Sequence, residues 1–151
     1  MTLLTTPVVG KDEGIKKMGI QIENTSRSDT KELRRLFSHI IAKSPLDTYQ
    51  KRWLREGLYI SVQNGKYSRV RGRIYPDAVE IHRKGKPIRI NSYIKLYVFT
   101  HTTIEDIGRT FAHELSHFRD WHREFFDHIK VPYGKEKRAQ AFADRVVKKL
   151  R

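Results

Sequence analysis

Cysteine is absent from all 151 residues, which removes disulfide frameworks, thiolate nucleophiles, iron–sulfur clusters and every zinc finger that needs sulfur ligands. Any metal site must therefore be assembled from His, Asp and Glu. Long hydrophobic runs are missing too. No stretch approaches the roughly 18 apolar residues that would span a bilayer, so no membrane partner is expected. The opening MTLLTTPVVG lacks the basic start and extended apolar segment of an export signal, and the expected location is cytoplasmic. No internal repeat or low-complexity stretch is found. Acidic residues are scarce: 17 Asp and Glu stand against 31 Lys and Arg, a net charge of +14, which biases a surface towards polyanions.

What is present is enough for one folded domain. The length suits a single unit, and 38% hydrophobic residues, with seven Phe, seven Tyr and two Trp, can enclose one core. Charge is distributed unevenly: residues 1–50 carry +2, 51–95 carry +9, 96–129 carry −3 and 130–151 carry +6. One acidic segment thus lies inside a basic protein.

Residues 1–14 show no sustained period and are expected to form a loose N-terminal tail, leaving 15–151 as the domain. GIKKMGIQIENTS reads as a short strand. A helix follows, capped by Ser28 or Asp29, with Leu33, Leu36, Phe37, Ile40 and Ile41 at helical spacing until Ser44-Pro45 stops it. From Leu58 to Phe99 the period changes to two, and turn residues divide the segment into three or four strands, expected to be mostly antiparallel. Arg69, Arg71 and Arg73 alternate there and share one strand face, read either as a solvated surface or as a ridge for polyanions. After Phe99 the helical period returns. Thr102 and Glu105 have the spacing of a capping box, and the helix is expected to run to about His128. Val131-Pro132-Tyr133-Gly134 breaks it, and a last helix from about Lys135 turns Ala139, Phe142, Ala143, Val146, Val147 and Leu150 inward.

The acidic segment contains His113-Glu114-Leu115-Ser116-His117, an HExxH motif. Four residues make about one helical turn, so both imidazoles lie on one side and can chelate a single cation, with Glu114 beside them. A chance match in a chain of this composition is expected at ~2%, so position on the helix is needed to weigh it. At about 100° per residue the pair falls away from the apolar stripe of Ile104, Phe111, Leu115 and Phe118, which disfavours two core histidines. Zinc needs a third protein ligand and a position left for water. A metzincin would have Gly three and His six residues after His117, where Asp120 and Arg123 stand. His122 lies on the apolar stripe and His128 is too far along the helix, so a carboxylate of the last helix is better placed.

HELSH on one helix, a break, and then Glu136-Lys137-Arg138-Ala139-Gln140-Ala141-Phe142-Ala143 resemble the gluzincin arrangement, in which a second helix supplies a Glu within a pattern of the type ExxA(D/N)xFA. The likeness covers about residues 89–150. In size and order the chain is similar to the minigluzincins and to the small HExxH protease domains of phage-immunity regulators. That resemblance implies Glu136 as third ligand beside His113 and His117, one Zn²⁺ per chain, and Glu114 as general base. The implied activity is that of a zinc-dependent endopeptidase, a metalloprotease acting on peptides or unfolded proteins. At Gln140 the family commonly has Asp or Asn supporting a ligating His, and Asp144, two turns beyond Glu136, is the competing carboxylate. The expected fold is α+β and zincin-like: a small, mainly antiparallel sheet packed on the early helix and the long HExxH helix, with the C-terminal helix completing the site. The segment Ile88 to Phe99 is expected to offer an edge for an extended substrate. The alternative is a basic nucleic-acid-binding protein, or a nucleic-acid-recruited protease, using residues 51–95 with Tyr59, Tyr67, Tyr75 and Tyr93 as stacking candidates.

Overall fold

The computed structural model describes residues 19–66, 68–77, 79–99 and 101–150. The expected tail at 1–14 and the stacking candidate Tyr67 lie outside them. The elements run β1 (Gly19–Asn24), α1 (Thr30–Lys43), α2 (Thr48–Glu56), β2 (Gly57–Asn64), β3 (Arg71–Tyr75), β4 (Val79–Arg83), β5 (Lys86–Ile90), β6 (Ser92–Val98), α3 (Ile104–Phe126) and α4 (Lys135–Lys149). The described residues make an α+β domain with four helices, none long and apolar enough to cross a membrane.

α1 buries Leu33, Phe37, Ile40 and Ile41 and stops where expected. There the Ser44 hydroxyl donates to the Ile41 carbonyl at 2.7 Å, and Pro45 disfavours further helix. α2 went unrecognised in the sequence. It carries a capping signal: the Asp47 carboxylate accepts from the Gln50 N–H at 2.8 Å, and the Gln50 side chain accepts from the Asp47 N–H at 2.9 Å. Only Gln50 and Leu54 of its nine residues are buried, however, so its apolar period is too short to read. α3 begins one residue later than expected, with Thr103 and Asp106 forming the capping box, while the Thr102 hydroxyl accepts from the Phe99 N–H. It ends at Phe126 rather than His128, whose φ of 53° takes the chain out of the helix.

The expectation of a mainly antiparallel sheet is corrected. The strand order is β1-β2-β6-β3, in which β1 pairs with β2 and β2 with β6 in parallel, and only β3 with β6 is antiparallel. α1 and α2 form the helical crossover that parallel neighbours such as β1 and β2 require. The run from Ile88 to Phe99 is also two strands rather than one. It bends at Asn91, whose N–H donates to the Gly57 carbonyl and whose side-chain amide donates to the Trp53 carbonyl, each at 2.8 Å. β4 and β5 form a separate hairpin closed by Lys84 and Gly85, both at positive φ, as a tight two-residue turn requires. β6 is therefore an interior strand and cannot supply the free edge expected of 88–99. The outer strands are β1 and β3, and β3 is the one that packs beside α3.

Alternation along the strands separates two faces. Ile20 and Ile22 of β1, Leu58, Ile60 and Val62 of β2, and Ile94, Leu96 and Val98 of β6 join Phe37, Phe111 and Phe118 in the main core. On the other face Tyr59 and Tyr93 pack edge to face and are covered by Ile81 and Ile90 of the hairpin.

At the far end of α3, His122 is buried among Trp53, Phe118, Trp121 and Phe126, and its Nδ1 has no hydrogen-bond partner among the described residues. Burial pushes its pKa below the ordinary value, against the weaker opposing pull of Asp47 and Asp127. Above the ordinary histidine range both folded and unfolded chains hold this ring neutral. Below about 6.5 the unfolded chain takes up a proton that the folded one resists, so stability falls as pH drops from there towards the lower folded pKa. His122→Leu should flatten this acid-side decline of Tm in thermal denaturation, and a slope identical to wild type would rule the linkage out.

Candidate metal centre

One helical turn separates His113 from His117, and their ring centroids lie 4.9 Å apart. Both are half-buried on the side of α3 away from Ile107, Phe111, Leu115 and Phe118, which fill the core. Glu136, in the first turn of α4, reaches across to both rings. Its Oε2 lies 3.0 Å from Nε2 of His113 and its Oε1 lies 3.0 Å from Nε2 of His117. Ligand atoms of the three residues all fall within 4.8 Å of one another. Tetrahedral ligands at 2.0–2.1 Å from zinc stand ~3.3 Å apart, so the group could hold such an ion with little movement.

Electrostatics favour a cation at the same point. Two ring nitrogens facing one carboxylate are stable only with a proton or a metal ion between them. The hydrogen bond to Glu114 holds the His113 imidazole above its ordinary pKa, despite the opposing effect of burial; the charges of Glu114 and Glu136 add to the rise. Two imidazoles and one carboxylate form a donor set suited to zinc, with a fourth position left open.

Glu114 is buried, and its Oε2 lies 3.3 Å from Nδ1 of His113. The edge strand comes down on it at Gly72. A Cβ on Gly72 would stand 2.9 Å from Cγ2 of Thr110 and 3.1 Å from Cγ of Glu114, so β3 can lie this close to α3 only with glycine there. A glycine inside a strand pattern is a known sign of close approach, and it could have been read from the sequence.

The other sequence candidates separate cleanly. Asp144 is ion-paired with Arg109 and stands outside the three-residue group. Gln140 lines the cleft and makes no hydrogen bond to either imidazole, so the expected support for a ligating His from this position is not supplied. His122 is in the core and His128 is beyond the end of α3.

Nothing in the sequence pointed to Arg138, yet it ties α4 to α3. Its guanidinium donates to Asp120 at 3.0 Å and to the carbonyls of Pro132 and Tyr133 at 2.9 and 2.8 Å. Asp120 is only 2% exposed. Gly134 opens the turn into α4 at φ 95°, a conformation that favours glycine. The side chain of Glu136 is 73% exposed, so its position follows from that of its helix.

A cleft of about 660 Å³ is lined by His113, Glu114 and Glu136 together with Arg69, Arg71 and Gly72 from β3 and the residues before it, and Arg109 and Asp144 from the two helices. Across the metal group, His117 adjoins a shallower recess floored by Trp121 and Phe125, whose rings stack at 5.3 Å. Of the stacking candidates, Tyr59 and Tyr93 are buried. Tyr75 is half-buried and carries the charges of Arg73 and Lys95 at 5.3 and 5.9 Å from its ring. Arg71 and Arg73 are both exposed on β3, two residues apart as expected, and Arg69 precedes the strand.

Compared with protein-family models, curated proteins and solved structures, the chain has no match. The reading of the site rests on its own geometry.

Arg138→Ala should cost about 3 kcal/mol in chemical denaturation, because it strands a buried carboxylate. It should also weaken zinc binding at least about tenfold, as loss of outer supports does elsewhere, a change visible in a zinc titration. Gly72→Val should lower Tm by forcing β3 away from Thr110 and Glu114, while zinc stoichiometry, set by side chains of α3 and α4, stays near one equivalent.

Proposed function

We propose that the chain is a zinc-dependent endopeptidase of the small gluzincin type, hydrolysing peptide bonds in peptides or unfolded proteins with Glu114 as general base. One observation carries this reading: the donor atoms of His113, His117 and Glu136 converge beside the carboxylate of Glu114, and His113, Glu114 and Glu136 line an open cleft. The set fits one Zn²⁺, which when bound supplies a Lewis acid that polarises a carbonyl and acidifies water.

The remaining work falls to the chain's own groups. His113, His117 and Glu136 are the residues that would hold the ion. Glu114 is outside that set, its Oε2 3.3 Å from Nδ1 of His113, and is the group left to move protons. Only 6% exposed, its carboxylate is shielded from bulk water, and it takes a proton from the attacking water and returns it to the departing amine. β3 orients the substrate. Its backbone at Arg71–Tyr75 forms the edge of the sheet, where an extended peptide can add as a further strand. Gly72 brings that edge, and the peptide along it, up to Glu114.

Purified wild-type protein should bind about one equivalent of zinc and cleave an unfolded protein. Glu114→Gln should retain the zinc and lose at least ~10²-fold in cleavage rate. Glu136→Ala should lose most of the metal. Undiminished cleavage by Glu114→Gln would overturn the assignment of the base, and zinc content unchanged by Glu136→Ala would overturn the ligand set.

A further inference from the structure

The four-stranded sheet has a second face, turned away from the metal group. Ile74, Ile94 and Leu96 point into the main core, and Gly72 meets α3. By alternation the opposite face carries Arg71, Arg73 and Tyr75 of β3 across from Tyr97, Lys95 and Tyr93 of β6. Distances fix two of these cations. Arg73 and Lys95 are directly opposed across the strands; the Arg73 guanidinium lies 5.3 Å from the ring centre of Tyr75, and the Lys95 ammonium 5.9 Å from that of Tyr75 and 5.6 Å from that of Tyr93. Like charges facing each other across a ladder are destabilising. Here no carboxylate offsets them: neither Arg73 nor Lys95 makes an ion pair among the described residues. The one acidic residue within these four strands is Glu23, on β1, two strands from Lys95. The β4–β5 hairpin covers Tyr59 and Tyr93, but Arg73 stays exposed and Lys95 and Tyr97 half-buried.

We infer that this face binds single-stranded nucleic acid, with Arg73 and Lys95 on phosphates and the ring of Tyr97 against a base. The inference stands apart from the endopeptidase reading, because the metal group lies on the other side of β3. Cations and aromatic rings interleaved on one surface are the combination that holds a flexible polyanion: the charges follow the backbone and the rings stack with bases. A phosphate between Arg73 and Lys95 removes their mutual repulsion. The surrounding segment, residues 51–95, carries +9, which draws polyanions to this part of the surface. The tyrosines favour a single strand over a duplex, whose paired bases keep their faces stacked on one another. They also favour nucleic acid over an anionic membrane, since rings half-buried in a sheet have little apolar length to insert.

The test is fluorescence anisotropy of the full-length protein with a labelled single-stranded DNA of about 12 nucleotides, a length within the range such surfaces cover. Affinity should be measurable at low salt and fall with a slope of about −1.4 in log K against log salt, as for two phosphate contacts on a single strand. The duplex of the same sequence should bind about tenfold more weakly, by the loss of one stacked base. Arg73→Gln and Lys95→Gln should each lower affinity about tenfold, as for one charged hydrogen bond, and make the slope shallower by ~0.7. Tyr97→Leu, which keeps apolar bulk, should lower affinity about tenfold and leave the slope unchanged. Lys148→Gln removes the same charge from the last turn of α4 and should leave both near wild type. A cooperative thermal transition in each variant separates these losses from unfolding, and the salt and duplex comparisons on wild type need no variant. An equal loss in Lys148→Gln, a duplex bound as tightly as the single strand, or capture by phosphatidylserine vesicles without any binding of the oligonucleotide would each overturn the inference, and none of them touches the hydrolase reading.

Discussion

The angle at which α4 meets α3 is the constraint on which the metal group depends. Ala139, Phe142, Ala143, Val146 and Val147 bury one side of α4, and the two alanines let it approach closely. Burial of this kind is nearly indifferent to small rotations. The hydrogen bonds of Arg138 are not, because a guanidinium offers its donors in a fixed plane. By holding Asp120 on one helix and two carbonyls of the connecting loop, it sets where the first turn of α4 begins. Glu136 is two residues earlier on that turn and mostly exposed, with the two imidazoles as its partners.

α3 serves two solvents at once. Phe111, Leu115 and Phe118 are fully buried against the sheet, while His113 and His117 open on the cleft. Glu114 lies between, buried by the close passage of β3 at Gly72. The acidic stretch within a +14 protein gives the same division in charge. Of its carboxylates, Glu114 stands beside the two imidazoles, while Asp120 is taken by Arg138.

Legibility followed the range of the interaction. The HELSH pair was plain because spacing of four within one helix is a local matter, and the core side of α1 and α4 was plain for the same reason. α2 left a readable capping pair in Asp47 and Gln50, but with few buried residues it had almost no period. The strands between Leu58 and Phe99 were visible as strands, yet period two carries no information on neighbours. The break at Asn91 depends on hydrogen bonds to Gly57 and Trp53, more than thirty residues away in the chain. A glycine at 72 inside a strand pattern hinted at close approach, but not that the approach is to Thr110 and Glu114 of α3.

The amino-acid order by itself determined the element types, the lack of sulfur chemistry, and two imidazoles one turn apart with a carboxylate between them, since each depends on residues a few positions apart. Only the tertiary structure decided that β6 is interior and β3 an outer strand, and that Glu136 rather than Asp144 stands against the two imidazoles. These follow from which faces pack together, and packing joins residues whose separation in the chain leaves no periodic trace.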